Sequence, residues 1–348
     1  MEMNESGDVS KPEILVVGVG GGGNNTLNRM IDAGVTGVHY VGVNTDVQAL
    51  RGCRAGTKVR IGGEITQGLG AGNDPDIGYD AARFSRKELE EVIRGFHMVF
   101  VTAGAGGGTG TGAAPVIAEI AMMLGALTVG VVTRPFSFEG KRRAEQADNC
   151  IGLLQERTDA LLVISNDRLF EIADAIPLPD AFRLADDVLR QGIQAVTGLI
   201  TGSSLVNLDF SHIRGVLEGS GAAVIGIGHA AGRDKARRAA LEAVESPLLE
   251  WSLEGSTRVL LNVSGGPDLS LVEVNEVAEI VASSVDPGAS IAFGAVIDGA
   301  LYNRARVTII ASGGGPEDAR RKNGGNAGEM PRETVDMPTI FKGSPPRD

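Results

Sequence analysis

The sequence predicts an α/β protein: a doubly wound parallel-sheet domain, a long central helix, a second, smaller α/β domain and a flexible C-terminal tail. Three observations support this fold class. Unbroken apolar runs alternate with helix-like segments up to about residue 176, which is typical of strands buried on both faces of a parallel sheet. A long stretch of helical apolar spacing follows, and shorter strand and helix patterns then resume before the polar end.

The first domain is predicted over residues 12–176, after a disordered N-terminus at 1–11. Its strands are predicted at 14–17, 39–43, 98–101, 128–132 and 160–164. Its helices are predicted at 25–33, 86–94, 113–124 and 140–156. Pro177 and Pro179 then interrupt the chain, because proline cannot continue a regular element.

The remaining segments follow the same logic. Residues 177–220 are predicted to hold the central helix, at 180–200, and the loop after it. The second domain, 221–312, is predicted to have strands at 224–227, 258–263, 291–296 and 306–311, with helices at 235–244 and 271–283. Residues 313–334 lack apolar periodicity and predict a flexible linker, and residues 335–348 contain apolar residues again.

The composition limits the classes of partner. The chain has 348 residues, with 32 Lys and Arg against 44 Asp and Glu, a formal charge of −12, so its bulk charge does not favour nucleic acid or anionic membrane. The two cysteines, Cys53 and Cys150, lie far apart, which favours a reducing compartment. Residues 112–132 are almost uncharged, but Gly125 divides them into a helix-like half and a strand-like half, so we predict a buried helix and strand rather than a membrane span.

Glycine is the unusual component: the chain has 50, about twice the usual ~7%. One cluster, residues 18–23, follows the first strand and fits the pattern G-x-G-x-x-G at Gly18, Gly20 and Gly23. That pattern lets the backbone approach a phosphate at a helix N-terminus. By itself it would also fit a dinucleotide-dependent metabolic enzyme or, less readily, a glycine-rich structural turn.

A second cluster, Gly104 to Gly112, follows the strand at 98–101 and precedes a helix in which Pro115 is predicted to lie in the first turn. Its amides can hold a phosphate, and Thr109 and Thr111 add hydroxyl groups. No G-x-x-x-x-G-K-[ST] occurs in the chain, so it is not a P-loop nucleotidase. The two glycine clusters together predict a nucleotide site.

Residues 106–112, Gly-Gly-Gly-Thr-Gly-Thr-Gly, match the signature of the tubulin superfamily, and the surrounding loops resemble those of the FtsZ family of bacterial cell-division proteins. The resemblance covers roughly residues 14–312 and resumes in the tail. Further segments fall in the order of that family, at 21–25, 44–46, 68–75, 133–140 with Arg143, 165–169 and 182–186.

The resemblance implies a GTPase that binds GTP or GDP with Mg²⁺. Residues that match the family's nucleotide contacts are Gly21, Gly22, Gly23, Asn24, Asn25, Asn44, Asp46, Ala71, Gly72, Gly104, Gly106, Gly107, Gly108, Thr109, Gly110, Thr111, Gly112, Thr133, Pro135, Glu139, Arg143, Asn166, Phe182 and Asp186. Asn166 and Asp186 can bind the edge of guanine, Phe182 can stack on the base, and Glu139 and Arg143 can bond the ribose. Without the resemblance, Asp186 would be taken as a solvated helix residue and Phe182 as a core contact.

In the family, the loop after the central helix reaches the nucleotide of the next subunit in a filament, so hydrolysis occurs only at the contact between subunits. Asp209 matches a carboxylate that polarises the attacking water, and Asn207 matches a neighbour that positions it. The family's second acidic residue is here His212. This departure suggests that GTP turnover is slow and falls as the pH drops through the range of histidine. Two alternatives remain open: Asp209 is an ordinary helix N-cap, or it carries the reaction while His212 is a tolerated neighbour.

The tail segment from Val335 to Lys342 resembles the family's short C-terminal peptide, which docks onto membrane-anchoring and regulatory partners. The resemblance therefore implies a cytoplasmic protein at the division site that self-assembles head to tail, with no nucleic acid partner and no direct membrane insertion. A weakly hydrolysing paralogue that binds or regulates filaments is the second hypothesis, and the dinucleotide-dependent enzyme is the third.

Overall fold

The computed structural model describes residues 12–169, 177–201, 204–206 and 209–315, all within one compact unit that ends at Gly315. Within these residues eleven strands form one sheet in the order β3-β2-β1-β4-β5-β6-β8-β11-β9-β10-β7. Their bounds are β1 Ile14–Val19, β2 His39–Asn44, β3 Thr57–Arg60, β4 Met98–Gly104, β5 Leu127–Arg134, β6 Ala160–Ser165, β7 Ser204–Val206, β8 Gly221–Ala231, β9 Arg258–Gly265, β10 Ser290–Ile297 and β11 Arg304–Ser312.

The α-helices of the described residues lie between these strands. They are α1 Gly20–Asp32, α2 Val47–Gly52, α3 Gly63–Thr66, α4 Pro75–Phe84, α5 Arg86–Ile93, α6 Thr109–Met123, α7 Lys141–Gln155, α8 Leu178–Thr201, α9 Phe210–Leu217, α10 Lys235–Val244 and α11 Leu271–Ser284. None of the helices in the described part of the chain has the length and apolarity needed to cross a membrane.

The first half of the sheet is parallel from β3 to β6 and is covered on both faces. Alternate residues of β1 enter two different cores. Ile14 and Val16 pack on the face that carries α1 and α8, whereas Leu15 and Val17 pack on the face that carries α4 to α7. Unbroken apolar runs in the sequence therefore correspond to strands buried on both sides.

Helix α8 connects the parallel half of the sheet to the second half. Its apolar residues, among them Val188 and Ile193, lie in the same core as Ile225 of β8 and Ile310 of β11. The sheet itself is continuous, because β6 pairs in parallel with β8. In the second half, β11 is antiparallel to both β8 and β9, while β9 and β10 are parallel.

The predicted fold class is confirmed, and every predicted strand and helix is present, with ends that differ by a few residues. Two helices begin earlier than predicted: α1 at Gly20 rather than residue 25, and α6 at Thr109 rather than residue 113. Pro115 therefore lies inside α6, not in its first turn. Glycine has a low helix propensity, so the sequence pattern alone assigned these glycines to loops, whereas packing between the two helix ends makes them helical.

The sequence pattern did not predict α2, β3, α3, α4 or β7, which are short or polar. The predicted N-terminal segment, most of the predicted linker, the tail peptide and Asn207 lie outside the described residues.

Candidate functional site: a nucleotide cavity at the carboxyl edge of the sheet

A cavity of about 570 Å³ opens at the carboxyl ends of the parallel strands. Val19, Asn44 and Gly104, which end β1, β2 and β4, lie on its wall, as does Asn166 directly after β6. The strand order reverses direction along the chain between β1 and β4, and such a switch point is where open α/β sheets form ligand crevices.

Two helix N-termini meet at the floor of this cavity. Gly21 and Gly22 belong to the first turn of α1, and Thr109 and Gly110 to the first turn of α6. The first amides of a helix have no partner inside it, and the helix dipole adds positive potential there. The floor can therefore bind phosphate through backbone groups, in a chain that is acidic as a whole.

The glycines of the floor are needed because the two turns are in close contact. Gly20 has a φ of +70°, and a Cβ atom there would lie 2.9 Å from the amide nitrogen of Gly110. A Cβ atom on Gly110 would lie 2.8 Å from the carbonyl oxygen of Gly104. Side chains at these positions would separate the turns, and the amides would no longer converge on one ligand.

Threonine hydroxyls fix the second glycine turn. The Thr111 Oγ1 atom accepts a hydrogen bond of 2.8 Å from the amide of Gly106, and the Oγ1 atoms of Thr109 and Thr45 are 2.6 Å apart. Asp46 lines the cavity beside them and caps α2, accepting hydrogen bonds from the amides of Gln48 and Ala49. The phosphate side of the cavity is thus held in place by side chains from two loops.

One side wall carries an ion pair. Arg143 at the start of α7 donates to the Glu139 carboxylate, and Glu139 also accepts from the amide of Phe136 at 2.9 Å. Arg143 reaches Asn73 on the opposite wall as well, with an Nη2 to Oδ1 distance of 3.4 Å. These groups can donate to and accept from neighbouring hydroxyl groups, which is the chemistry that a ribose offers.

The far end of the cavity suits a flat base. The Phe182 ring, 41% exposed, contacts the buried Phe136 ring edge to face, with centroids 5.4 Å apart. Asn166 is buried, and its Oδ1 atom has no hydrogen-bond partner among the described residues. An orphaned buried oxygen costs about 1–3 kcal/mol, which a ligand that donates to it would remove.

Asp186 on α8 lies at the same end and is anchored by Arg29 of α1, with a distance of 3.0 Å from Nε to Oδ2. Burial raises the pKa of Asp186 above its ordinary value, while the hydrogen bond and charge of Arg29 oppose this rise. Arg29 therefore favours the ionised form, which can accept from the N–H groups of a base. Arg29 has no local signal in the sequence, because it is 157 residues away from its partner.

Nineteen of the predicted nucleotide contacts line the cavity; Gly23, Asn24, Gly106, Thr111 and Gly112 do not. These five lie in the packing behind the cavity wall: a Cβ atom on Gly112, for example, would lie 1.9 Å from the carbonyl oxygen of Pro75. The wall also includes residues that the prediction omitted, namely Val19, Ala49, Leu69, Gly70, Asn73, Ala105 and Ala185. Leu69, Gly70 and Asn73 belong to the segment at 68–75, which resembles the family. That resemblance was the signal that could have identified them.

Asp209 and His212 lie at the other edge of the sheet. The Phe210 ring between them contacts the ring of His97, which directly precedes β4, with centroids 6.4 Å apart. Because β4 ends in the cavity wall and spans seven residues, the two places are separated by about 20 Å. Both side chains are exposed, and Asp209 occupies the N-cap position of α9 without making a side-chain cap bond.

Comparison with known proteins agrees with this geometry. The model of the Tubulin/FtsZ family, GTPase domain, matches residues 13–174, and that of the FtsZ family, C-terminal domain, matches residues 221–315. An empty FtsZ dimer from M. jannaschii superposes with a TM-score of 0.85 at 45% identity, over 87% of this chain and 89% of that one.

The chain belongs to the tubulin/FtsZ family.

More distant members share the fold. CetZ1 from Haloferax volcanii, a GDP-bound monomer, has a TM-score of 0.74 at 22% identity, over 89% of this chain and 97% of that one. CetZ2 from the same organism, a GTPγS-bound protofilament, has a TM-score of 0.73 at 20% identity with the same coverage. Membership of the family makes this chain a GTPase of the tubulin/FtsZ type that binds guanine nucleotide.

Proposed function

We propose that this chain is a cytoskeletal GTPase that polymerises head to tail into filaments for cell division, with each nucleotide hydrolysed at the contact with the next subunit. One observation carries the proposal: the nucleotide cavity and the exposed Asp209 lie at opposite edges of the same sheet. A carboxylate about 20 Å from its own cavity cannot act there. Head-to-tail stacking places the Asp209 edge of one molecule over the cavity edge of another.

In this arrangement the two edges of the sheet have different roles in the reaction. The amides of the first turns of α1 and α6 hold the phosphates. Asp209 from the neighbour, with Asn207 beside it, orients and polarises the attacking water, a role worth about 10²–10⁴-fold in rate. Hydrolysis then follows assembly, because a free subunit has the ligand but lacks the group that activates water.

The base end favours guanine over adenine. An ionised Asp186 accepts from the ring N–H and exocyclic amino group of guanine, and it would repel the ring acceptors of adenine. The free Oδ1 atom of Asn166 offers a further acceptor. Arg29 supports this selectivity, because its hydrogen bond and charge oppose the rise in the pKa of Asp186 that burial causes.

Magnesium fits the donor set of the phosphate side. No group of three or more His, Cys, Asp and Glu side chains within the described ranges could hold a metal ion alone. Hydroxyl groups and the Asp46 carboxylate suit Mg²⁺ held chiefly by phosphate oxygens and water, which is its usual coordination in nucleotide sites. The ion would neutralise charge on the phosphates.

His212 supports a slower hydrolysis. It lies in the first turn of α9, exposed beside Asp209, where a second carboxylate would add negative charge next to the attacking water. Neutral imidazole can accept a proton but brings no such charge, and imidazolium would repel the metal ion. A chain with negligible hydrolysis would be a filament-binding paralogue.

The tail extends the proposal to partners. Val335 to Lys342, outside the described residues, would dock onto membrane-anchoring and regulatory proteins of the cytoplasmic division site. Many copies along a filament would raise the avidity of a weak peptide. Removal of residues 335–348 should abolish recruitment of such partners and leave polymerisation intact.

Mixing two inactive variants tests the division of labour between subunits. Asp209→Ala keeps the cavity and removes the water-activating carboxylate. Gly107→Glu keeps Asp209 and places a negative charge in the cavity, at a position where a Cβ atom meets nothing within 4 Å. Each variant alone should release almost no phosphate from GTP, whereas the mixture should regain turnover at contacts that combine one good cavity with one good Asp209.

Circular dichroism of each variant checks that it is folded, and nucleotide binding checks that only Gly107→Glu has lost its ligand. A mixture as inactive as its components would contradict catalysis between subunits. Full turnover by Asp209→Ala alone would contradict the assigned role of that carboxylate.

A further inference from the structure

A cluster of polar side chains lies at one end of the seam between α8 and the second half of the sheet. The middle of this seam is apolar, with Ile225 and Ile227 of β8 and Ile310 of β11 facing α8. His229 lies two residues further along β8, on the same face. Its direct partner in the antiparallel register is Arg306 of β11. Both side chains therefore point to the α8 face, where apolar packing gives way to polar groups.

Arg306 is a charged group without a partner among the described residues. Its guanidinium forms no hydrogen bond or ion pair with any residue that the structure describes, and its Nε atom is buried. Burial, and then the positive charge of Arg190, lower the pKa of Arg306, but a guanidinium remains charged at every physiological pH. A half-buried cation that has no ion-pair partner is normally stabilised by an anion.

The nearby carboxylates are engaged elsewhere. Asp187 on α8 accepts from Arg190 and from Gln191, at 2.7 Å each. Asp298, after β10, accepts from the amide of Ala300 and so closes the following turn. Each lowers the energy of the Arg306 charge through space, yet neither is within ion-pair distance of it. The N–H donors of the Arg306 guanidinium therefore remain available to a ligand.

His229 is the second member of the cluster. Its Nε2 atom lies 3.2 Å from the Oε1 atom of Gln191, an acceptor, so the neutral ring carries its proton on Nε2. Partial burial, and then the charges of Arg306 and Arg190, lower the pKa of His229, while the facing carboxylates Glu242 and Asp187 oppose this. The ring is therefore neutral at neutral pH and can gain a proton when negative charge arrives.

We propose that Arg306 and His229 bind one small oxyanion, a phosphate or carboxylate group, at the open end of this seam. The guanidinium donates to the anion, and the imidazole becomes protonated as the anion binds. Asp187, Glu242 and Asp298 surround the site and disfavour ligands with several negative charges. Affinity should rise as the pH falls, because binding of an anion and protonation of His229 favour each other.

Asp187, which accepts from Arg190 and Gln191, is adjacent in the chain to Asp186, which lines the nucleotide cavity. The proposal itself requires only anion binding and does not depend on filament formation.

Histidine-ring NMR of the full chain tests it. The chain has four histidines, and a His229→Gln variant identifies the signal of interest. The protein is loaded with GDP so that the nucleotide cavity is filled, and it is titrated with inorganic phosphate or with succinate, at constant ionic strength set by chloride. A saturable shift of the His229 signal and a higher apparent pKa are expected. The stronger of the two anions shows whether the site prefers phosphate or carboxylate.

Two matched variants assign the effect. Arg306→Gln should weaken binding at least about tenfold, equivalent to about 1.4 kcal/mol. Arg304→Gln, which removes an exposed charge two residues earlier on the same face of β11, should leave the affinity unchanged. Shifts that do not saturate, or that weaken equally in both variants, would mean non-specific screening and would overturn the proposal.

Thermal unfolding gives a second readout. An anion that binds only the folded chain raises the melting temperature of the wild type, and this increase should vanish in Arg306→Met. Without added anion, Arg306→Met should melt no lower than the wild type, because it removes an unpaired buried charge. A variant that melts well below the wild type would show that Arg306 already has an internal partner, and this result would contradict the proposed anion site.

Discussion

The two edges of the parallel sheet differ in how they are built. At the carboxyl edge, backbone amides of two helix ends, five strand ends and several loops enclose a cavity of about 570 Å³ within one chain. At the amino edge, Asp209 and His212 are exposed on a short helix, and Asp209 makes no side-chain cap bond with the described residues. The first edge encloses a cavity, whereas the second carries exposed polar side chains.

This difference separates binding from catalysis. Affinity for nucleotide depends on parts that a single chain brings together, so it should survive in a monomer. In the proposed arrangement hydrolysis requires the meeting of two unlike edges, so turnover should depend on protein concentration. Variants of each edge can therefore break one property and leave the other.

Removal of the Asp209 carboxylate should have the largest effect. Asp209→Ala is expected to reduce GTP turnover by about 10²–10⁴-fold, because the group that polarises water is lost. Nucleotide affinity should remain unchanged, since the cavity is about 20 Å away. Phosphate release and GTP binding measured on one preparation check both statements. A parallel loss of affinity would show that the two edges are not independent.

Gly112→Ala should disrupt the carboxyl edge through packing. Alanine favours a helix by about 1 kcal/mol, but its Cβ atom would lie 1.9 Å from the carbonyl oxygen of Pro75, where α6 contacts α4. A net loss of about 3 kcal/mol in the free energy of unfolding is expected. Denaturant unfolding measures it. Gly107→Ala is the control, since a Cβ atom there meets nothing within 4 Å, and it should stay within about 0.5 kcal/mol of the wild type.

Phe182→Ala should weaken binding of guanine nucleotide by about tenfold, because stacking on a base contributes about 1–3 kcal/mol. Isothermal titration with GDP checks the affinity. Phe138→Ala is the control: its ring stacks on Phe136 at 5.0 Å but does not line the cavity. Equal losses in both variants would indicate that the aromatic cluster, rather than contact with the base, determines affinity.

His212→Asp should produce the smallest change, an increase of a few-fold in GTP turnover, as a second carboxylate is added beside Asp209. Ser211→Asp adds the same charge one residue earlier, on a different side of the helix, and should not reproduce the gain. An unchanged or lower rate in His212→Asp would assign the work to Asp209 alone.

Much of the fold followed from the sequence because the strands of a buried parallel sheet are apolar without interruption. β1 and β4 were predicted within a few residues, and α10 was predicted at its observed bounds. The helix starts at Gly20 and Thr109 were wrong because local propensity treats glycine as a helix breaker, whereas contact between the two turns determines their conformation.

The candidate site shows the same difference between local sequence signals and contacts of distant residues. Motifs of local sequence identified the glycine turns and the segment around Ala71, all of which the structure brings to one cavity. Pairings between distant residues had no local signal. Arg29 with Asp186, and Arg306 with His229, became visible only when helices and strands from different parts of the chain were adjacent.

The sequence by itself determined the order of strands and helices, the phosphate-binding glycine turns and the chemical types of the groups around them, because these depend on residues near one another in the chain. Only the tertiary structure decided which residues line the cavity, that Asp209 lies at the opposite edge, and that Arg306 lies beside His229 without a partner in the described part of the chain. Such facts depend on how a sheet orders its strands and on which side of it each helix packs. Strand order and helix placement are set by burial between residues that are distant in the chain, so no single segment determines them.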